Sequence, residues 1–252
     1  MLYTIAEIAT PVLVVLVVLV FTNVSGNFYF PPLQEVAVAF QQNWLFSRVP
    51  TDLLPSLFRL LSGYFLAVIC GVGFGILLGL NRKIRRQAAP VVEFLRAIPP
   101  PALLPFTLIV LGIDNPGKIL LIAFVCVWPI LLSTMDGIVG MEPTMRDTGR
   151  SYRIARVDAL ISVELPAASP QIFAGMRTSL PLAIIMMVIS EMVGASDGIG
   201  YFIVQAQRTF ALADMWSGII LLGLLGYTLN LIFSVVERRV LAWHRNARVV
   251  VQ

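Results

Sequence analysis

Charged and metal-binding side chains are scarce in this chain of 252 residues. Charged residues make up 13% of the sequence, against about 25% in a typical soluble domain. Because His244 is the one histidine, neither a Ser-His-Asp triad nor a metal site built from several histidines is expected. The two cysteines, Cys70 and Cys126, lie in apolar runs, which argues against a disulfide framework. We therefore expect no catalytic site and no metal site in this chain.

The chain is rich in apolar residues. Hydrophobic residues make up 58% of the chain. They fall in runs of roughly 20 residues, the length that a helix needs to cross a bilayer. In lipid, only helices and closed barrels satisfy every backbone polar group. These runs predict an all-α polytopic membrane protein with about six transmembrane helices in one membrane domain. The net charge of +4 fits basic loops facing anionic lipid and needs no nucleic-acid partner.

The apolar runs also predict the order of the spans. Residues 1–22 are interpreted as an uncleaved first span, because a signal peptide begins with a basic region and this stretch carries Glu7. Residues 33–44 predict a short amphipathic helix on the outer surface, and residues 196–213 predict a turn with a short helix there. The later spans are expected at residues 53–80, 90–113, 119–139, 170–195 and 214–241. We thus divide the chain into residues 1–50 (first transmembrane helix and outer amphipathic segment), a transmembrane core at 51–245 with a polar loop at 142–170, and a tail at 246–252.

Positive charge is distributed unevenly between the predicted loops. Twelve basic residues fall on one side: Arg82, Lys83, Arg85, Arg86, Arg146, Arg150, Arg153, Arg156, Arg238, Arg239, Arg245 and Arg248. Four fall on the other: Arg48, Arg59, Lys118 and Arg208. Since cytoplasmic loops are enriched in Lys and Arg, the first side is predicted to be cytoplasmic, and both termini with it.

The third predicted span is interrupted by prolines. Pro99, Pro100 and Pro105 cannot all lie inside one continuous helix, and Arg96 comes just before the break. Broken helices at membrane depth line a cavity or are buried in protein, so the break is a candidate for the translocation path. A kinked packing helix is the alternative. Glu191 is an ionisable residue at membrane depth, a second candidate for the path, or else a carboxylate that holds the next loop in place.

Small residues recur at every fourth position of the second span. They are Gly63, Ala67, Gly71, Gly75 and Gly79. A stripe of small residues lets helix backbones approach closely in lipid. We therefore predict that Gly71, Gly75 and Gly79 pack against another helix.

The polar loop at residues 142–170 lies between two of the spans. Arg146, Arg150, Arg153 and Arg156 recur at steps of three and four, which predicts one basic stripe on a helix. Leu165-Pro166 is expected to end that helix, and Pro170 to open the next one. Such a helix–break–helix segment suits docking to a partner protein. A solvated cytoplasmic loop is the alternative.

One nucleotide-binding motif is matched in part. Residues 112–118 fit G-x-x-x-x-G-K, but Ile119 replaces the required Ser or Thr, and the motif lies between two apolar runs without a preceding strand. We predict that the chain has no ATP site and no cofactor of its own.

Four stretches resemble one family of transport proteins. The loop is similar to the EAA loop of ABC-transporter permeases, with Asp147-Thr148-Gly149 at EAA, Arg153 in place of the usual Gly, and Leu165-Pro166 at its end. The other three resemble blocks of the nitrate, sulfonate and taurine type of permease: FLRAIPPPALLPFTLIVLGIDNPGKI at residues 94–119, SEMVGASDGIGYFI at 190–203 and ERRVLAWHR at 237–245.

The resemblance implies a type I, MetI-like importer permease in a bacterial inner membrane. It implies that the EAA-like loop couples to an ATPase through Asp147, Thr148, Gly149, Tyr152, Arg153, Ala155, Leu165 and Pro166. Its implied partners are a second copy of the chain, two cytoplasmic ATPase subunits that bind ATP and Mg²⁺, a substrate-binding protein outside and membrane lipid. The implied solute is small and anionic. An ion-coupled secondary transporter is the alternative function, although Glu191 is the one candidate for its ion site. An intramembrane enzyme would need convergent catalytic residues that the spans lack.

Overall fold

The computed structural model describes residues 28–112 and 114–243, apart from the side chains of Phe46, Arg146, Thr148 and Arg150. The predicted first span at 1–22 and the predicted tail at 246–252 lie outside these ranges. The described chain is helical, and no strand is assigned within it. Its α-helices are α1 (Leu33–Gln42), α2 (Leu54–Leu80), α3 (Arg82–Ala97), α4 (Leu104–Leu111), α5 (Asn115–Val139), α6 (Pro143–Ser151), α7 (Arg156–Ala159), α8 (Leu165–Gly194), α9 (Ile199–Arg208) and α10 (Leu212–Val240). Single π-helical turns cover Asn43–Ser47, Val49–Leu53 and Leu160–Glu164, and a 3₁₀ turn covers Pro100–Leu103.

Long apolar helices dominate the fold, as the sequence predicts. Over the described ranges, four continuous helices are long and apolar enough to cross a membrane: Val49–Leu80, Asn115–Val139, Arg156–Gly194 and Leu212–Val240. A bent pair, α3 with Pro100–Leu111, brings the number to five. The prediction of an all-α polytopic membrane protein is confirmed.

The predicted break in the third span is present. α3 ends at Ala97, and the chain direction changes by 83° before α4. Pro99 lies in extended backbone, and Pro100 begins the 3₁₀ turn. Proline lacks the N–H that an interior helical position needs, so these residues end α3. Pro105 is tolerated because it lies in the first turn of α4, where no helical partner is available for an N–H.

The predicted helix end at Leu165-Pro166 is wrong. A single helical stretch runs through both residues from Arg156 to Gly194. Pro166 lies in the first turn of α8, directly after the π-helical turn, so its missing N–H breaks no interior α-helical bond. Pro170 opens no new helix, because it lies inside α8. The loop breaks earlier, between α6 and α7.

The described residues form two compact units. Residues 28–55 and 196–224 form the first unit, which contains the predicted amphipathic helix as α1 and the predicted short helix as α9. Trp44 is buried there. Its indole Nε1 donates to Ser217 Oγ at 3.1 Å, and its ring meets Phe202 edge to face with centroids 4.8 Å apart. Asn43 Nδ2 donates to Asp214 Oδ1 at 2.8 Å.

Residues 56–195 and 225–243 form the core unit, in which small residues set the helix spacing. A Cβ added at Gly71 would lie 2.8 Å from Ile130 Cγ2, and one at Gly75 would lie 2.5 Å from Thr134 Cβ. A Cβ at Gly79 would lie 2.8 Å from Ile138 Cβ. The backbone of α2 therefore lies directly against side chains of α5. The approach is closer than any residue with a Cβ permits.

The same principle joins α5 to α8. A Cβ at Gly137 would lie 2.9 Å from Gln171 Cβ, and one at Gly175 would lie 2.7 Å from Ser133 Cβ. The sequence pattern does not indicate either glycine, because neither belongs to a long run of small residues at regular spacing. α5 is thus held between α2 and α8 by close backbone approach.

Candidate functional site

The segment at residues 143–164 is the first candidate site, and it begins with a short helix. α6 starts at Pro143, and Ser151 Oγ donates to the Asp147 carbonyl oxygen at 2.8 Å in its last turn. Arg153 follows with a φ of 52°, and the Ile154 N–H donates to the Gly149 carbonyl oxygen at 3.1 Å. These features form a Schellman helix end with Arg153 at its left-handed position.

Arg153, the residue that departs most from the EAA pattern, has a backbone conformation that favours Gly. The pattern has Gly where this chain has Arg153, and the left-handed region is the one that favours Gly. A non-glycine residue there costs about 1–2 kcal/mol. Arg153 therefore adopts the left-handed conformation at that cost in stability.

The turn also corrects the prediction of one basic stripe. Arg146 and Arg150 precede it, Arg153 lies in it, and Arg156 begins α7 on its other side. One helix therefore does not carry the four arginines along a common face. Spacing alone could not reveal this, because a left-handed residue breaks the helical period.

Large apolar side chains of the 143–164 segment are exposed. Tyr152 is 78% exposed and Val157 66%. The others are Met145, Ile154 and Ile161. Asp147 and Ala155 are exposed beside them, whereas Gly149 is half-buried. An exposed group of apolar side chains with a charged rim is typical of a protein-interaction surface.

The segment is joined firmly to the transmembrane helices. Leu165, half-buried like Pro166, packs against the buried cluster of Ile138, Ala168 and Ile172. From Arg156 the helical stretch continues to Gly194, so residues 156 and 191 are separated by about 50 Å along it at 1.5 Å per residue. Residues 156–164 are therefore continuous with this long helix.

Glu191, near the far end of that helix, lies in a buried ion pair. Its Oε1 lies 2.9 Å from Arg59 Nη1, and the two side chains are 0% and 3% exposed. Ser56 Oγ donates to the carboxylate at 2.8 Å, and Arg59 Nε donates to Asn115 Oδ1 at 2.6 Å. Buried charges persist where they are paired and hydrogen-bonded in this way. The pair therefore joins α2, α5 and α8 at one end of the core unit.

The burial of Arg59 was not predicted from the sequence. Arg59 and Lys118 were both counted on the outer side with the loop charges, but both are buried within helices. A signal was available, because Arg59 comes four residues before Gly63 and so lies on the small-residue face of α2. The uneven charge distribution becomes stronger once the two are removed from the outer loops.

The bent pair borders the second candidate site, an open groove of about 520 Å³. Its lining includes Glu93, Arg96, Ala97, Ile98, Pro100, Val125, Trp128, Pro129, Leu132 and Leu182. Arg96 Nη2 lies 2.7 Å from Glu93 Oε2. Of the predicted path residues, the structure brings Arg96 and Pro100 to this groove. Pro99, Pro105 and Glu191 do not line it.

The partial nucleotide-binding motif lies between two helices. α4 precedes it, Gly112 turns the chain with a φ of 77°, and Gly117 and Lys118 lie in the first turn of α5. A phosphate-binding loop follows a strand instead. The geometry agrees with the interpretation that this match is accidental.

Comparison with known proteins gives the family. Residues 71–242 match the family described as "Binding-protein-dependent transport system inner membrane component". The nitrate import permease of Leptolyngbya laminosa is 32% identical over 185 residues, which are 73% of this chain and 66% of that protein. The bicarbonate transport system permease of Synechococcus elongatus is 33% identical over 75% of this chain and 68% of its own length. The taurine transport system permease of Escherichia coli is 29% identical over 86% and 80%.

A solved structure supports the fold. The methionine ABC transporter MetNI, in an inward-facing conformation, has a chain that superimposes with a TM-score of 0.67 at 20% identity, over 75% of this chain and 94% of that one. The sequence matches, the superposition and the long apolar helices of this chain therefore all indicate the same family. The chain belongs to the family of binding-protein-dependent transport system inner membrane components, the multi-pass permeases of ABC importers.

Proposed function

We propose that this chain forms the translocation path of an ABC importer for a small anionic solute that resembles nitrate, taurine or a sulfonate. Relatives named for nitrate, bicarbonate and taurine transport support this solute class. The chain supplies the path and the coupling surface. ATP and Mg²⁺ bind to separate ATPase subunits in this proposal, and no catalytic residue of the chain takes part.

The exposed 143–164 segment carries the proposal. Tyr152 and Val157 present apolar surface at the start of a helix that continues through the core unit. An ATPase subunit that binds this surface would move the helix directly. The coupling contacts in this proposal are Asp147, Thr148, Gly149, Tyr152, Arg153 and Ala155, with Leu165 and Pro166 at the base of the segment.

The complete importer contains more than one chain. Two copies form a C2 dimer around a shared path, each copy binds one ATPase subunit, and a substrate-binding protein docks outside. α10 fits a position at the lipid or at the second copy, because it leaves large apolar residues exposed in the single chain. The basic loops face the cytoplasm of a bacterial cell, and both termini lie there.

An ion-coupled secondary transporter is less well supported. Such a protein needs an intramembrane site that binds a coupling ion. Glu191 was the one candidate, and its carboxylate is engaged by Arg59 and Ser56. A carboxylate held in this way serves the structure of the helix bundle.

The test is ATP-driven uptake by the reconstituted importer with its ATPase and its binding protein. Asp147→Lys and Tyr152→Ala should each weaken ATPase binding in a pull-down, or abolish the stimulation of ATP hydrolysis by loaded binding protein. Asp114→Lys is the matched control, because Asp114 is also exposed but lies directly before α5. Full uptake by both segment variants would refute the coupling assignment.

A further inference from the structure

A charged pair lies on the helix that borders the groove. Glu93 and Arg96 occupy positions i and i+3 near the end of α3, so they share one face. Arg96 Nε donates to Glu93 Oε2 at 2.8 Å, and Nη2 lies 2.7 Å from the same oxygen. Both side chains are exposed, at 46% for Arg96 and 61% for Glu93.

The groove lies level with the middle of a spanning helix. Its other wall includes Val125, Trp128 and Leu132, which occupy the central part of α5 (Asn115–Val139). Arg96 and Glu93 line the same groove, so their side chains lie beside the central part of α5. An exposed charged pair at mid-depth is costly against lipid, so it must face a cavity or another protein surface.

The backbone beside the pair favours the cavity. Residues 98–103 leave the α-helix, and the chain bends by 83° there. Irregular backbone at membrane depth is tolerated where it lines a water-filled cavity, and solute sites of transporters lie at such breaks. The apolar walls formed by Val125, Leu132 and Leu182 lower the local dielectric constant, which strengthens the field of a charge in the groove.

We propose that Arg96 binds the transported solute in the middle of the membrane and that Glu93 is the internal anion which the solute displaces. This inference rests on the proposed importer function and names the solute chemistry: a small oxyanion group such as sulfonate, nitrate or carboxylate. A guanidinium presents a planar fork that matches two oxygens of such a group. Glu93 occupies Nε and Nη2 through a single oxygen, so an incoming oxyanion can replace it without movement of the helix.

Displacement also explains how the solute leaves. Once the solute is bound, the carboxylate of Glu93 is a second anion beside it, and the repulsion weakens binding. A transport site needs an affinity low enough for release. Arg96 therefore selects for the anion, and Glu93 limits how long it stays.

The test measures the electrostatic potential of the groove with a cysteine probe. Ala97→Cys lies in the groove beside Arg96, in a chain whose Cys70 and Cys126 are replaced by Ala. In the assembled importer, its reaction rate is compared for an anionic sulfonate-bearing methanethiosulfonate and a cationic trimethylammonium analogue. One unit charge roughly 8 Å from the thiol, at an effective dielectric constant of about 40, changes each rate about fivefold.

The charges of Arg96 and Glu93 oppose each other in the unchanged pair, so its anionic-to-cationic rate ratio is the reference value. Arg96→Gln should lower the anionic-to-cationic rate ratio by about 25-fold, because the two rates change in opposite directions. Glu93→Gln should raise the ratio, and Arg96→Lys should keep it while slowing uptake. Arg82→Gln is the matched control at the other end of α3, about 20 Å away and beyond the screening length, and should leave the ratio unchanged. Methanesulfonate should slow labelling when Arg96 is present and not in Arg96→Gln.

Two results would overturn the proposal. One is a probe that neither reagent reaches in the assembled importer, since the groove would then be covered by the second copy or by lipid. The other is an unchanged rate ratio in Arg96→Gln and Glu93→Gln. In both cases the proposed function still holds if the wild-type importer takes up solute with ATP. It fails separately if the wild-type importer shows no ATP-driven uptake.

Discussion

Replacing single glycines of α2 tests the helix packing most directly, because neighbouring positions differ sharply in the space around them. At Gly75, a new Cβ would lie 2.5 Å from Thr134 Cβ and 2.8 Å from the Leu131 carbonyl oxygen. Carbon atoms pack at about 3.5–4.0 Å. The Gly75→Ala variant must therefore move α2 and α5 apart by about 1 Å, and we expect overpacking to cost about 1–3 kcal/mol.

Gly73 is the matched control on the same helix. Nothing lies within 4 Å of a Cβ added there. Gly73→Ala should gain about 1 kcal/mol, because Ala favours the helix more than Gly does. The two variants should differ by about 2–4 kcal/mol in the free energy of unfolding, with Gly75→Ala the less stable.

Thermal unfolding of the purified protein in detergent measures this difference. For a chain of this size, 1 kcal/mol shifts the Tm by about 2–4 °C, so the two Tm values should be separated by about 5–15 °C. Gly71→Ala should resemble Gly75→Ala, since its Cβ would lie 2.8 Å from Ile130 Cγ2. Equal Tm values for Gly73→Ala and Gly75→Ala would show that α2 does not pack closely on α5.

Three further predictions concern the turn, the ion pair and the orientation. Arg153→Gly should raise the Tm because Gly adopts the observed φ of 52° without strain, whereas Arg153→Val should lower the Tm; the reverse order in thermal unfolding would exclude a left-handed residue there. Glu191→Gln should destabilise the protein by about 3–5 kcal/mol because Arg59 loses its buried counter-charge, and a loss below about 0.5 kcal/mol in thermal unfolding would contradict the pairing. In intact cells, an impermeant thiol reagent should label Asp114→Cys and spare Ile84→Cys, and labelling of the latter would reverse the proposed orientation.

Features that depend on local sequence were predicted well. Long apolar runs predict spanning helices because a chain in lipid satisfies all its backbone polar groups only as a helix or in a closed barrel. The break after Ala97 was predicted because consecutive prolines remove N–H donors wherever they occur. Small residues at every fourth position of α2 predicted that another helix approaches it closely. They do not indicate which helix that is.

The position of one proline shows where local rules fail. Pro166 was predicted to end a helix, but the π-helical turn before it places the residue in a new first turn. Residue types along the chain do not predict that turn, after which Leu165 packs against Ile138 of α5. The left-handed turn at Arg153 is a similar case, since nothing in an arginine side chain favours a positive φ.

The sequence by itself determined the membrane class, the order of the spans within the described residues, the break in the third span and the family resemblance. Each of these depends on residue types over a short stretch or on their order. Only the tertiary structure decided that Arg59 pairs with Glu191 across 132 positions of sequence, and that Arg96 and Pro100 face the middle of α5. A buried charge finds its counter-charge wherever helix packing places one, and separation along the chain carries no information about that.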